Sequence, residues 1–358
     1  MQLETMSAPL NSPLIGFILF FTAFIVSVGG VALFRLLSIR MNWLDHPNQR
    51  SSHTRPTPRG GGLIIVIISV ATFVASAFAM KDQISWWFVV GSCLVALVSW
   101  LDDLYTLAYL TRLAVHVLAA LIVVWDAGYL HVFGVSEGYS IDLGFAGALL
   151  TIVWIVWSIN AYNFMDGIDG LAGLQGAVAA GVFACVAVGR PTLLIFNVAI
   201  AAACLGFLVH NWPPAKVFMG DVGSAFLGFT FGSMPVLLAR EAASEPSLLP
   251  LIALLVLWTF NFDAGLTRLR KALRLERFWE PHREHLYQRL AEAGFAPAFI
   301  CAIYGLLALA AGGSAVLLLR TNGWIAALPI VFVVVISFVL AAMVNRLNKR
   351  SDLLINGR

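Results

Sequence analysis

Charge is scarce in this sequence. Only 11% of its 358 residues are Asp, Glu, Lys or Arg, where a soluble domain carries about 25%. So small a stock of charge cannot cover a water-facing surface, and a soluble protein with merely buried helices is excluded. Cysteine is scarce as well. Cys93, Cys185, Cys204 and Cys301 all fall in apolar stretches without metal-like spacing. They read as small packing residues, not as disulfides. No basic aromatic platform and no water-soluble segment of domain size is present, so nucleic acid is not an expected partner. Internal repeats and low-complexity segments are missing too. With no inverted repeat and no paired broken helices, the pattern common among transporters is absent.

What the chain has instead is apolar residues, 60% of the total, in blocks about as long as a bilayer-crossing helix. Eleven blocks stand out, at roughly 14–38, 63–80, 86–101, 113–130, 144–162, 171–189, 192–210, 222–239, 248–266, 297–319 and 324–344. The first lacks a basic leading region and is too long for a signal-peptide core, so it reads as a span. The expectation is an all-α polytopic membrane protein of about eleven transmembrane helices, with residues 1–358 as one integral membrane domain. Of the 22 Lys and Arg residues, only Lys81, Arg190, Arg240 and Arg320 lie in one set of loops, and the other eighteen lie in the opposite set. Basic loops stay cytoplasmic. This predicts a periplasmic N-terminus, a cytoplasmic C-terminus and inward loops at about 39–62, 102–112, 163–170, 211–221 and 267–296. The last of these reads as an amphipathic helix followed by a His-containing turn. The overall charge of +3 says little, but the basic excess in the inward loops suits anionic headgroups and phosphates.

The acids sit at span ends on that same side. Asp102 and Asp103 end the third block, Asp166 and Asp169 follow the fifth, and Asp221 precedes the eighth. Carboxylates at a membrane edge are costly unless paired or metal-bound. Only Arg112 and Lys216 are close to them in sequence, which points to a divalent ion with oxygen ligands, Mg²⁺ or Mn²⁺. Each motif also has a plainer reading. The Asp102–Asp103 pair is a common way to stop a helix at an interface. Asn160, Asn163 and Asp166 recur every third residue, so a helical end would gather them on one face. Gly167 and Gly170 then permit a tight turn or a close ligand. The run Phe218-Met-Gly-Asp221-Val-Gly-Ser224 is either a helix cap or a phosphate cradle of free N–H groups. Pro56 through Gly62 is a turn into a helix, and His282-Arg-Glu-His285 is either a solvated helix face or a set of donors for an anion. His116 and His210 read as packed or interfacial, and Asp126 and Asp263 take no assignment.

In this order, the motifs resemble the polyprenyl-phosphate N-acetylhexosamine-1-phosphate transferases. The resemblance rests on Asp45-His-Pro47 through Arg59-Gly-Gly-Gly62, Asp102-Asp103, Asn160 through Gly170, Phe218 through Ser224 and the histidine loop, over about residues 45–290. The run Pro281-His-Arg-Glu-His285-Leu-Tyr-Gln-Arg-Leu looks like the WecA side and its O-antigen-initiating branch. The MraY type carries a triple histidine there. One departure is Thr106, where the family often has Lys; Arg112 is the nearest substitute for its charge.

The resemblance implies attack by undecaprenyl phosphate on a UDP-N-acetylhexosamine, with UMP leaving. The sugar would be GlcNAc or a 6-deoxy derivative such as FucNAc or QuiNAc. It implies Mg²⁺ (or Mn²⁺) at Asp221 and Asn163, and the nucleotide at Asp169, Phe218 and Asp166. His282, Arg283 and His285 would meet the diphosphate and sugar. Asp102 and Asp103 would be catalytic, as base, as orienting groups or through a covalent phosphosugar. The bilayer is the third partner, and homodimers are common in the wider family. The competing readings are an MraY-type phospho-MurNAc-pentapeptide transferase, an ion-coupled transporter and an inactive scaffold. A reporter fused to the C-terminus is expected to read as cytoplasmic; an extracytoplasmic signal would mean that the span count is wrong.

Overall fold

The computed structural model describes residues 13–47, 55–82, 85–136, 139–240, 246–275, 284–321 and 324–356. In chain order, α1 (Pro13–Arg40) leads to a short antiparallel pair, β1 (Leu44–Asp45) and β2 (Thr57–Pro58), and then to α2 (Leu63–Met80), α3 (Trp86–Tyr105) and α4 (Tyr109–Ala127). A hairpin of β3 (Val132–Ser136) and β4 (Tyr139–Asp142) precedes α5 (Ala146–Met165), α6 (Leu171–Val186), α7 (Pro191–Asn211) and α8 (Asp221–Arg240). A 3-10 turn, Pro246–Leu248, opens α9 (Leu249–Val256) and α10 (Trp258–Leu273), and α11 (Leu286–Glu292), α12 (Pro297–Leu318) and α13 (Trp324–Asn356) follow.

Each expected apolar block falls on a helix. Among the described residues, nine helices are long and apolar enough to cross a membrane. A tenth span results if α9 and α10, bent by 79° at their junction, are counted as one. The shortfall from eleven is α6, with 16 residues. One expectation needs correction. The block at 248–266 is a broken pair of helices rather than one straight span. Before α5, strands β3 and β4 pair, and Gly134 of β3 packs against Ser247 of the 3-10 turn.

The bundle is built around α8. Every residue of it from Val222 to Leu238 is buried, whereas α1 and α13 expose one side of apolar residues. Lipid tails are as apolar as leucine, so helices in a membrane gain by close packing, and small residues at the contacts allow it. A Cβ at Gly228 would lie 2.6 Å from the Ser158 carbonyl oxygen of α5, and one at Gly62 would lie 2.5 Å from Gly223 Cα. The backbones of α5 and of the turn before α2 therefore meet α8 directly, which holds three motif segments in register.

Of the expected amphipathic helix and His turn of the 267–296 loop, the described residues show the end of α10 and all of α11 from Leu286, with residues 276–283 outside them; Asp263 joins the two helices. This buried carboxylate of α10 accepts the Leu286 N–H (2.8 Å), the Tyr287 N–H (3.2 Å), the Tyr304 hydroxyl (2.6 Å) and the Thr267 hydroxyl (3.3 Å). His285 Nδ1 lies 3.3 Å from it. Asp263 thus caps α11 from a neighbouring helix and ties α10, α11 and α12 together. Each buried donor left without its acceptor costs about 1–3 kcal/mol. Asp263→Ala is therefore expected to destabilise the protein by about 3 kcal/mol or more, read as a lowered melting temperature in detergent. An unchanged melt would mean that these contacts carry no stability.

Candidate functional site

The motif acids converge where α3 ends and α8 begins. Asp103 lies in the last turn of α3. Its two oxygens accept the Asp221 N–H (3.0 Å) and the Val222 N–H (3.1 Å), so it caps α8 and satisfies two of that helix's unpaired N–H groups. Arg59 Nε lies 2.8 Å from Asp103, and Arg59 Nη2 donates to Asp221 at 2.6 Å. Arg112 Nη1 pairs with Asp102 and lies 3.3 Å from Asp221. The other Asp102 oxygen accepts the Leu107 N–H at 2.6 Å. Two guanidinium groups therefore cross-link three carboxylates from α3 and α8.

Arg59 arrives by backbone pairing. The Phe218 N–H donates to Pro58 O, the Gly60 and Gly61 N–H groups donate to Phe218 O, and the Gly62 N–H donates to Met219 O. This small zipper lays the arginine-glycine segment along the chain entering α8. Gly220 has φ +77°, and a Cβ there would lie 2.7 Å from Asp103 Oδ2; only glycine fits both demands. Burial works against the Arg59 charge, but Asp221 and Asp103 more than offset it, and its pKa is raised. Arg112, expected as the nearest substitute for the missing lysine charge, pairs with two of the three carboxylates, Asp102 and Asp221. Thr106 itself ends α3 with φ +52°, a strained conformation for a β-branched residue.

The Asn160–Gly170 segment forms the second wall. Asp166 ends α5, half-buried. Among the described residues its carboxylate makes no hydrogen bond or ion pair. Burial first, and then the Asp221 charge, raise its pKa well above the ordinary carboxylate range. Asn163 Nδ2 donates to Ser224 Oγ at 3.1 Å, and Ser224 Oγ donates to Gly220 O at 3.2 Å. These bonds tie α5 to the start of α8. Asp169 is set apart from the acid cluster's ion pairs: its Oδ2 accepts the Ala215 N–H at 2.8 Å. Asn160 donates to Val156 O within its own helix.

From the histidine loop, His282 and Arg283 lie outside the described residues. His285 is described. It caps α11, and its ring stacks 6.5 Å from that of Phe164. Tyr287 OH donates to Phe164 O at 3.0 Å, and a Cβ on Gly167 would overlap it at 1.9 Å. The structure thus joins Asp102, Asp103, Asp221, Asn163 and Asp166 near one point. It brings His285 against the same α5 end and places Phe218 in the zipper.

Sequence reasoning missed three residues. Asn211 accepts the Gly170 N–H (2.9 Å) and donates to Val217 O (2.9 Å), bracing two motif loops at once. Asp263 holds the histidine segment. Arg59, read as part of a turn and of a family motif but given no role of its own, supplies the second cation. An isolated charge inside an apolar block was the available signal for Asp263, but the partners of Arg59 are 44 and 162 positions away in sequence. Asp126 receives hydrogen bonds from Ser85 and from Arg240, a brace between α3, α4 and α8. His210 lies 3.1 Å from Val28 O of α1, as a packed residue would. His116 is buried, with no partner for either ring nitrogen among the described residues.

The chain is similar to known proteins over much of its length. The family described as "Glycosyl transferase family 4" matches residues 85–239, from α3 through α8. A Bacillus subtilis protein named a probable undecaprenyl-phosphate N-acetylglucosaminyl 1-phosphate transferase is 28% identical over 92% of this chain and 93% of its own length. A decaprenyl-phosphate N-acetylglucosaminephosphotransferase of Mycolicibacterium smegmatis is 30% identical over 76% of this chain and 74% of its own. A phospho-N-acetylmuramoyl-pentapeptide-transferase of Geobacillus thermodenitrificans is 32% identical over 52% of this chain and 62% of its own. With its carboxylates gathered at one end of an all-helical membrane bundle and relatives aligned along about three-quarters or more of its length, this chain belongs to the polyprenyl-phosphate hexosamine-1-phosphate transferases of glycosyl transferase family 4.

Proposed function

We propose that the protein transfers an N-acetylhexosamine 1-phosphate from its UDP-sugar to undecaprenyl phosphate, releasing UMP, at the cytoplasmic face of the bacterial inner membrane. The sugar is GlcNAc or a 6-deoxy derivative such as FucNAc or QuiNAc, and the product initiates O-antigen or another surface polysaccharide. The observation that carries the reading is the Asp102–Arg112–Asp221–Arg59–Asp103 network beside Asp166. Such a site gathers fixed charge of both signs at a membrane edge, where two anionic reactants must be brought together. The Lys/Arg bias of the loops supports the cytoplasmic side. Relatives named as undecaprenyl and decaprenyl GlcNAc-phosphate transferases align along most of the chain, whereas one named for the muramoyl-pentapeptide reaction aligns over about half of it. The histidine run without the triple histidine supports the same choice.

Phosphoryl transfer of this type asks the protein mainly for positioning and charge stabilisation. Among the described residues no group of three or more His, Cys, Asp or Glu is arranged to hold a metal ion. That suits Mg²⁺, which is commonly bound by one or two carboxylates and completed by substrate phosphate oxygens. Asp221, exchanging its contact with Arg112, the longer of its two arginine contacts, and the free amide oxygen of Asn163 would hold it, with the unpaired Asp166 carboxylate nearby. When bound, the ion supplies charge neutralisation of the diphosphate. Arg59 and Arg112 orient the carboxylates and remain as cations beside the phosphates. A phosphate monoester has a second pKa near 6, so the attacking lipid phosphate is largely dianionic at neutral pH and needs little help from a base. Both oxygens of Asp103 are committed to capping α8, and both of Asp102 to Leu107 and Arg112. This favours orienting roles over a covalent one.

Three measurements test the proposal. Membranes containing the protein, given undecaprenyl phosphate and labelled UDP-GlcNAc, UDP-FucNAc or UDP-QuiNAc, should form one lipid-linked sugar and UMP; no product with any of them would overturn it. Asp221→Ala is expected to abolish Mg²⁺-dependent UMP release, a loss of about 10³-fold or more, and wild-type release would remove Asp221 from the site. Asp103→Asn is expected to lower turnover about 100-fold at every pH between about 6 and 9, as loss of a positioning group does. Recovery of turnover at the alkaline end would make Asp103 a base instead.

A further inference from the structure

Arg268 of α10 has no part in the network above. Its guanidinium lies over two aromatic rings of α5, 5.1 Å from the Trp157 centroid and 4.7 Å from the Phe164 centroid. Among the described residues it makes no hydrogen bond or ion pair. The bracket is built rather than incidental. Trp157 Nε1 donates to Asn261 Oδ1 of α10 at 2.8 Å, which fixes the ring. Stacking on aromatic faces holds a planar guanidinium in place while leaving its N–H edge for an oxyanion.

Arg268 also stands between two kinds of surface. Phe164 follows Asn163 and receives the His285 ring on the same α5 end. On the other side, Tyr109 of α4 is within electrostatic reach of the guanidinium. The connection that carries Tyr109 also carries Leu107 and Arg112, both bonded to Asp102. The neighbouring outer surface is apolar: Tyr105, Leu110, Leu269 and Leu273 are exposed, as residues facing lipid are. A ligand with a phosphate head and a hydrocarbon tail matches that junction.

We infer that Arg268, clamped by Trp157 and Phe164, is a docking site for a lipid-borne phosphate monoester, and that it positions the acceptor's phosphate beside Asp102. The inference rests on the transferase reading for its ligand. Its shared chemistry is a phosphate on a lipid, which the polyprenyl phosphate and a bilayer headgroup both offer.

The test compares wild type, Arg268→Gln and Arg268→Lys in detergent micelles of defined phosphatidylglycerol content. Arg268→Gln is expected to raise KM for undecaprenyl phosphate about tenfold while KM for the UDP-sugar stays within about twofold. Arg268→Lys keeps the charge but loses the planar stack, and is expected to raise KM for the lipid by about threefold. Native mass spectrometry gives a readout that needs no turnover. Wild type should retain undecaprenyl phosphate over undecaprenol, and Arg268→Gln should lose that preference. Unchanged KM values with retained preference would overturn the inference. So would a rise confined to the UDP-sugar, or an effect that follows phosphatidylglycerol alone. Absence of wild-type turnover alongside a phosphate preference that depends on Arg268 would fault the transferase reading and leave the docking site standing.

Discussion

Three carboxylates crowd the end of α3 and the start of α8, at a depth where uncompensated charge is costly. Arg59 and Arg112 make that crowding tolerable, and the arrangement of the rest follows from them. Each guanidinium bridges two acids, so Asp221 is held from both sides. A planar guanidinium held between two carboxylates sets direction as well as charge. Because Arg59 comes from the turn before α2 and Arg112 from α4, four helices are brought to a common point. Among the described residues, the Asp166 carboxylate and the Asn163 amide oxygen are left outside this set of ion pairs.

That electrostatic arrangement depends on a packing arrangement beneath it. The zipper that delivers Arg59 requires the backbone at Gly60–Gly62 to lie against residues 218–223, and side chains at Gly62, Gly220 or Gly223 would push the two apart. Gly228 repeats the device one level deeper, against α5. The glycines of the motifs thus act largely through backbone approach. The phosphate-cradle expectation for the start of α8 changes in the same light: Asp103 already occupies two of its N–H groups, so that helix start is organised by a carboxylate of the protein itself.

On the other flank, Asp263 does for the histidine segment what Asp103 does for α8. A carboxylate on one helix accepts the first N–H groups of another, and His285 is carried into place against Phe164. Beyond the 79° break between α9 and α10, Asn261 and Arg268 of α10 meet Trp157 and Phe164 of α5. Asp263 and Arg268 are five residues apart, yet one anchors a loop and the other presents a cation at the lipid boundary.

The membrane class, the approximate spans and the placing of the motif acids at the ends of spans were legible in the sequence, because hydropathy and charge act through the solvent, which every residue meets independently of its neighbours. The motif strings were legible for the same reason, since their acids sit at the edges of apolar blocks. What only the tertiary structure decided was partnership. Asp102 to Arg112 is a local pairing that spacing suggests, but Arg59 to Asp221, Asn211 to two loops, and Asp263 to the start of α11 join residues far apart in the chain. The break in the span at 248–266 was hidden too, because hydropathy measures the length of an apolar run and not its direction. Composition sums over residues, whereas a site is a matter of which side chains share a few ångströms, and only packing determines that.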